Sequence, residues 1–130
     1  MTGVRGLAHI NLHAPAALIA RVRQFYIDII GLREGPRPNF GTKGHWLYAG
    51  DTDVLHLSVH ASGEEPRTTG WIDHIAFSCT DLAQTCQRLD HAGIPYRLDT
   101  VDSLNQMQLF VRDPAGIAVE LNFPIDVHRG

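Results

Sequence analysis

The chain has little cysteine, no excess of positive charge and no long apolar run, and each shortage removes a class of function. Among 130 residues the 2 cysteines, Cys79 and Cys86, lack the CxxC spacing of a zinc or redox site and cannot build a disulfide framework. Both are expected to be reduced, buried thiols. With 11 Lys and Arg against 14 Asp and Glu, the net charge is −3, so no basic surface is available for nucleic acid and no polybasic anchor for a membrane. No apolar stretch approaches the roughly 20 residues of a spanning helix, and the opening MTGVRGLAHINL lacks the apolar core of a signal peptide. A cytoplasmic protein is expected, with a small molecule as its partner. A charged fraction of 19% beside an apolar fraction of 44% excludes disorder and a coiled coil. The length fits one domain spanning residues 1–130, able to bury roughly two-thirds of its unfolded surface.

What the chain does contain is an internal repeat. LAHINLHAPAALIARVRQFYIDIIGL (Leu7 to Leu32) and IDHIAFSCTDLAQTCQRLDHAGIPY (Ile72 to Tyr96) each read as a strand holding one histidine, a turn and a helix. WLYAGDTDVLHLSV (Trp46 to Val59) resembles QLFVRDPAGIAVELNF (Gln108 to Phe123), two strands joined by an Asp-led turn. His9 then corresponds to His74, and His56 to Glu120. Two α+β modules of β-α-β-β-β plan follow, over about residues 6–60 and 71–124, with the polar segment 61–70 as linker.

Within each module the periodicities are clear. Leu7 to Leu12 alternates, placing His9 and Asn11 on one face. Pro15 suits the first turn of a helix whose stripe is Leu18, Val22, Phe25, Tyr26 and Ile29, ending at Gly31. A short strand near Arg33 precedes a mobile loop around Pro36 to Lys43 that could border a substrate site. His45 to Ala49 and Val54 to His60 form a hairpin around Gly50 to Asp53. In the second module His74, Ala76 and Ser78 face away from Ile75 and Phe77. Asp81 caps a helix with Gln84 three residues on, its stripe is Leu82, Cys86 and Leu89, and Gly93 stops it. Strands over Pro95 to Thr100, Gln106 to Arg112 and Gly116 to Phe123 complete the plan, the last two joined by the turn Asp113-Pro114-Ala115-Gly116.

Four polar side chains on these strands carry the chemistry. Glu120 lies between Val119 and Leu121 in a run that otherwise reads as buried, and a carboxylate directed into a domain needs a cation or hydrogen-bond donors. His9, His74 and Glu120, with His56, offer imidazole nitrogens and a carboxylate to iron(II), manganese, nickel, cobalt or zinc, leaving positions open for substrate. Glu120 and His56 are also the candidate proton-transfer groups. Considered alone, His9 or His74 is more often a hydrogen-bonded histidine near a core than a ligand, and His56 reads also as a group that orients a ligand or touches substrate. His13 and His60 follow on the same faces further along, whereas His91 and His128 read as solvated. Trp46, Tyr48 and Phe110 read as wall or core. Arg37, Lys43, Arg97 and Arg112 read as exposed charge that could meet an anion.

The first-strand histidine of LAHINL, the segment WIDHIAFSCTDL, the closing DPAGIAVELNF and the paired β-α-β-β-β plan resemble the vicinal oxygen chelate superfamily over about Gly6 to Phe123. This is the group of glyoxalase I, bleomycin-resistance proteins and extradiol dioxygenases. The resemblance implies two modules curled into an incomplete barrel around a divalent-metal cleft, with ligands His9, His74 and Glu120, and a homodimer. It implies a glyoxalase-like lyase or isomerase acting on a small oxygen-chelating substrate. Alternatives are an extradiol-type ring-cleaving dioxygenase, a thiol transferase of the fosfomycin-resistance kind, and a non-catalytic drug-binding protein. Glyoxalase I usually has a glutamate where this chain has His56, and the His-His-Glu set resembles instead the extradiol and fosfomycin-resistance enzymes. The chain is half the length of common two-domain extradiol enzymes.

Overall fold

A computed structural model describes Gly3, residues 7–60, Ile72 and residues 74–125, the side chains of His60 and Leu104 excepted. The linker at 61–70 and His128 lie outside the described residues. The chain divides into two compact units, Met1–Glu65 and Pro66–Gly130. Among the described residues each unit holds one four-stranded mixed sheet and one main helix, with one strand order in both.

In the first unit the strands are β1 (Ile10–Pro15), β2 (Arg33–Gly35), β3 (Gly44–Ala49) and β4 (Thr52–His60), ordered β1-β4-β3-β2. β1 runs parallel to β4, and β3 is antiparallel to both β4 and β2. Helix α1 (Ala16–Phe25) continues into a wider π-type turn over Tyr26–Ile30, which Gly31 closes at a φ of 96° that a glycine accepts without strain. Ile19, Val22, Phe25, Tyr26 and Ile29 are buried on its inner stripe, together with Leu47, Leu55 and Leu57 of the sheet. Each such side chain contributes about 1.5–3 kcal/mol by leaving water. Leu18, expected on the stripe, is only half-buried. The stripe centres on Ile19, three residues before Val22, and Leu18 falls on its flank.

Several strand ends differ from the sequence reading by one to three residues, and the junction of β1 with α1 differs in kind. β1 starts at Ile10, so His9 stands just ahead of it, and the strand runs on through Pro15 because its pairing with β4 extends to Pro15 opposite His60. Pro15 caps α1 in extended conformation (φ −61°, ψ 155°) rather than lying in the first turn.

The second unit repeats the plan with β5 (His74–Ser78), β6 (Arg97–Val101), β7 (Gln106–Arg112) and β8 (Ala118–Pro124), ordered β5-β8-β7-β6. Helix α2 (Leu82–Ala92) starts at Asp81, whose carboxylate accepts the Gln84 N–H at 3.1 Å, and stops at Gly93. Leu89 and Thr85 are buried on α2, with Leu109, Val111, Val119, Leu121 and Phe123 buried in the sheet. Both cysteines are free and half-buried rather than buried, and burial pushes the Cys79 thiol up from its ordinary value.

Candidate functional site

In the first unit alternation divides the sheet into an apolar face and a polar one. Leu55 and Leu57 are buried in the apolar core, whereas His56 and Ser58 take the opposite face of β4. The register sets Asn11 of β1 and Trp46 of β3 on either side of His56. Trp46 therefore stacks on the His56 ring, 4.0 Å between centroids and 8° from parallel. His9, two residues before Asn11, stacks on His56 as well, at 3.6 Å and 16°. Phe40 extends the row, its centroid 6.1 Å from Trp46.

Asp53 joins this group through an irregularity of the strand. Leu47 pairs with Leu55 but Tyr48 pairs with Asp53, so the register skips Val54. In an unbroken strand residues three apart point to opposite faces; one extra residue turns Asp53 to the face of His56. Asp53 Oδ2 and His56 Nε2 lie 2.6 Å apart. This hydrogen bond, followed by one at the Asp53 backbone, holds the carboxyl below the usual carboxylate range. One ligand atom each from His9, Asp53 and His56 lie within 4.8 Å of one another.

In the second unit the same register brings the corresponding positions together. Ala76 of β5 and Phe110 of β7 flank Glu120 as Asn11 and Trp46 flank His56. His74, two residues before Ala76, places its Nε2 3.3 Å from Glu120 Oε1. Gln108 donates its amide N–H to Glu120 Oε2 at 3.1 Å. The Glu120 side chain is 13% exposed against 40% for His74. Asn122, opposite Gln108, has a buried Oδ1 with no hydrogen-bond partner.

Of the residues expected to carry chemistry, His9 and His56 thus meet in the first unit, and His74 and Glu120 in the second. Asp53 and Gln108 were missed. Asp53 reads as a turn residue, and its only signal is the acidic position three before His56. Gln108 carries a weaker signal, two residues from Phe110 and so on one strand face with it. His13 bonds Ser58 Oγ at 2.8 Å, which holds it further along the sheet. Arg37 donates to the Thr42 carbonyl at 2.9 Å, closing the loop from Pro36 to Lys43 on itself. Arg97 lies over the Phe110 ring and pairs with Asp99, and Arg112 donates to the Gly116 carbonyl.

The side chains present fit a first-row divalent ion. Imidazole nitrogens and a carboxylate oxygen are its ordinary donors, at about 2.0–2.2 Å each; the His9, Asp53 and His56 atoms lie within 4.8 Å of one another, and the His9 ring would turn out of its stack on His56 to aim a nitrogen at the same ion. Glu120 likewise supplies an oxygen beside an imidazole.

Solved structures show the same fold. A glyoxalase/dioxygenase from Nostoc punctiforme superposes with a TM-score of 0.77 at 20% identity, over 95% of this chain and 94% of that one. A glyoxalase-family protein from Bacillus anthracis gives 0.71 at 24% identity, over 95% and 98%. A lactoylglutathione lyase from Agrobacterium tumefaciens gives 0.65 at 19% identity, over 94% and 96%. No protein of curated function matches the sequence. Residues 6–121 match the glyoxalase/bleomycin resistance protein/dioxygenase family, and the chain belongs to that superfamily.

Proposed function

We propose that the protein is a divalent-metal-dependent enzyme acting on a small oxygen-chelating substrate, as a glyoxalase-like lyase or isomerase, with His9, His56, His74 and Glu120 as metal ligands. The observation that carries this reading is Glu120. Its carboxylate, 13% exposed, is given an imidazole and one amide N–H, with no Lys or Arg paired to it among the described residues. A carboxylate so placed suits a cation. A bound divalent ion would polarise the substrate's oxygens and make a neighbouring proton more acidic. The chain's own side chains would do the rest. Gln108 fixes the rotamer of Glu120, the stacked ring of Trp46 fixes the plane of His56, and Glu120 and His56 carry the proton between substrate positions.

A ring-cleaving dioxygenase or a thiol transferase uses the same donors, and the metal that copurifies separates them. Iron directs assays to catechols and oxygen uptake, nickel or zinc to 2-oxoaldehyde–thiol adducts, and manganese to thiol transfer. We also infer a homodimer, as the family resemblance implies, and a cytoplasmic location, which the two unpaired cysteines favour. No helix of the described residues is long and apolar enough to cross a membrane.

The test is metal content by plasma mass spectrometry, followed by turnover of that panel, in wild type and Glu120→Ala. About one ion per chain is expected in wild type, and the variant should bind at least 100-fold more weakly, with no turnover and an unchanged far-UV spectrum. A wild type that takes up no ion from any of the five metals would make drug sequestration the better reading.

A further inference from the structure

We propose that Asp53 is itself a metal ligand, so that the N-terminal unit alone supplies three donors, His9, Asp53 and His56, to a transition-metal ion. The proposal rests on the reading that the protein uses a divalent ion, and it adds a carboxylate that no family pattern used above assigns.

Three observations lead to it. The first is the strand irregularity: skipping Val54 costs β4 a paired residue, and what results is that Asp53 shares a face with His56. The corresponding hairpin of the second unit pairs β7 with β8 without a shift, and there Asp113 spends its carboxylate on the backbone N–H groups of Ala115 and Ile117. The second is the donor geometry, with three ligand atoms from three side chains inside 4.8 Å. The third is the fixed orientation of the central donor, since the His56 ring lies flat on Trp46 at 4.0 Å and 8°, while His9, on His56 at 3.6 Å, leaves that stack when it takes the ion. Access is open from the side of Asp53, whose side chain is 34% exposed.

Two imidazole nitrogens and one carboxylate oxygen define the ligand's class. Zinc, nickel, cobalt and iron(II) accept that set, whereas calcium and magnesium require oxygen donors throughout. The site is therefore expected to ignore calcium.

Trp46 supplies a reporter, because a paramagnetic ion at a nitrogen of His56 would lie close enough to quench the indole stacked on that ring. The chain has 2 tryptophans, so Trp71→Phe leaves Trp46 as the sole tryptophan, read by excitation beyond tyrosine absorption. In that background the metal-stripped full chain is titrated with nickel(II), cobalt(II) and calcium(II), alone and with Asp53→Asn, Asp53→Ser or the pair His74→Ala and Glu120→Ala. Folding is checked for each by circular dichroism.

Nickel and cobalt should quench Trp46 and calcium should not. Asp53→Asn should weaken nickel at least tenfold, and Asp53→Ser should do the same if the Asn variant does not fold. The double variant should still quench, at higher nickel. A folded Asp53 variant that titrates like its parent overturns the proposal, and if the double variant has then lost binding, the ligand set under Proposed function stands without Asp53. Loss in the Asp53 variants with no loss in the double variant upholds this proposal and removes His74 and Glu120 from the ligand set. A parent that binds no transition metal overturns both readings.

Discussion

Glu120 depends on a neighbour that the sequence reading passed over. Gln108 and Phe110 share a face of β7, and the register brings Glu120 opposite Phe110 and Asn122 opposite Gln108, so the Gln108 amide reaches Glu120 diagonally at 3.1 Å. One carboxylate oxygen is thereby committed to the amide and the other left to His74 at 3.3 Å. Groups that orient a ligand in this way matter to affinity nearly as the ligands do. Gln108→Met keeps length and removes the donor; it is expected to weaken nickel or zinc affinity about tenfold, measured by competition with a chromophoric chelator. Affinity equal to wild type would show that Glu120 needs no such restraint. At this scale the sequence was informative about residue type and poor about partners. Glu120 stood out because a charge interrupted an apolar strand, and His9 because it recurs as His74. Asp53 did not, since its face is set by a skipped residue that no periodicity reveals.

The elements show the same division between periodic and irregular. Helix stops at Gly31 and Gly93, the Asp81 cap and the span of β7 were legible because each follows from one residue's backbone or side-chain chemistry. The start of β1 and the π-type turn were not, because pairing with β4 and packing of Tyr26 and Ile29 decide them. One contact between elements was equally invisible. Glu34 of β2 accepts from Arg23 Nε of α1 at 2.7 Å and meets His45 Nδ1 of β3 at 2.7 Å, tying the helix end to the sheet edge. Burial alone would raise the Glu34 carboxyl, but the bonds from His45 and Arg23 outweigh it and leave it below its ordinary value. A depressed folded value means that the stabilisation is present above the unfolded value of 4.5 and is lost as pH falls through the lower folded one. With a side chain 34% exposed, solvent screens these pairs, and Glu34→Gln should cost about 0.5–1 kcal/mol near neutral pH. Urea unfolding of both proteins checks this, and the gap should close below the folded value. A gap that persists in acid would assign the effect to packing rather than charge.

For the molecule as a whole, the repeat was the most legible feature, and register explains why. Asn11 opposite His56 and Ala76 opposite Glu120 are equivalent pairs, as are Trp46 opposite His56 and Phe110 opposite Glu120. Two sequences with little in common at the level of identity keep the same alternation, and alternation is what fixes which side chains share a face. The two units have diverged where alternation is silent, in the turn after β3 against the turn after β7 and in the skipped Val54. Both hold candidate donors, so a bound ion should stabilise the folded chain by mass action. At a free concentration of 100 times Kd the gain is about 2.7 kcal/mol, which for a protein of this size raises Tm by roughly 10 °C. Thermal unfolding of metal-stripped protein with and without nickel or zinc should show that rise, and chelator should reverse it. Glu120→Ala and Asp53→Asn should each shrink the rise at fixed metal, since each removes a carboxylate donor from the folded state and neither lies in the buried apolar core. A Tm indifferent to every ion would mean that neither cluster binds metal in the folded protein, and the imidazoles and carboxylates would then serve only each other.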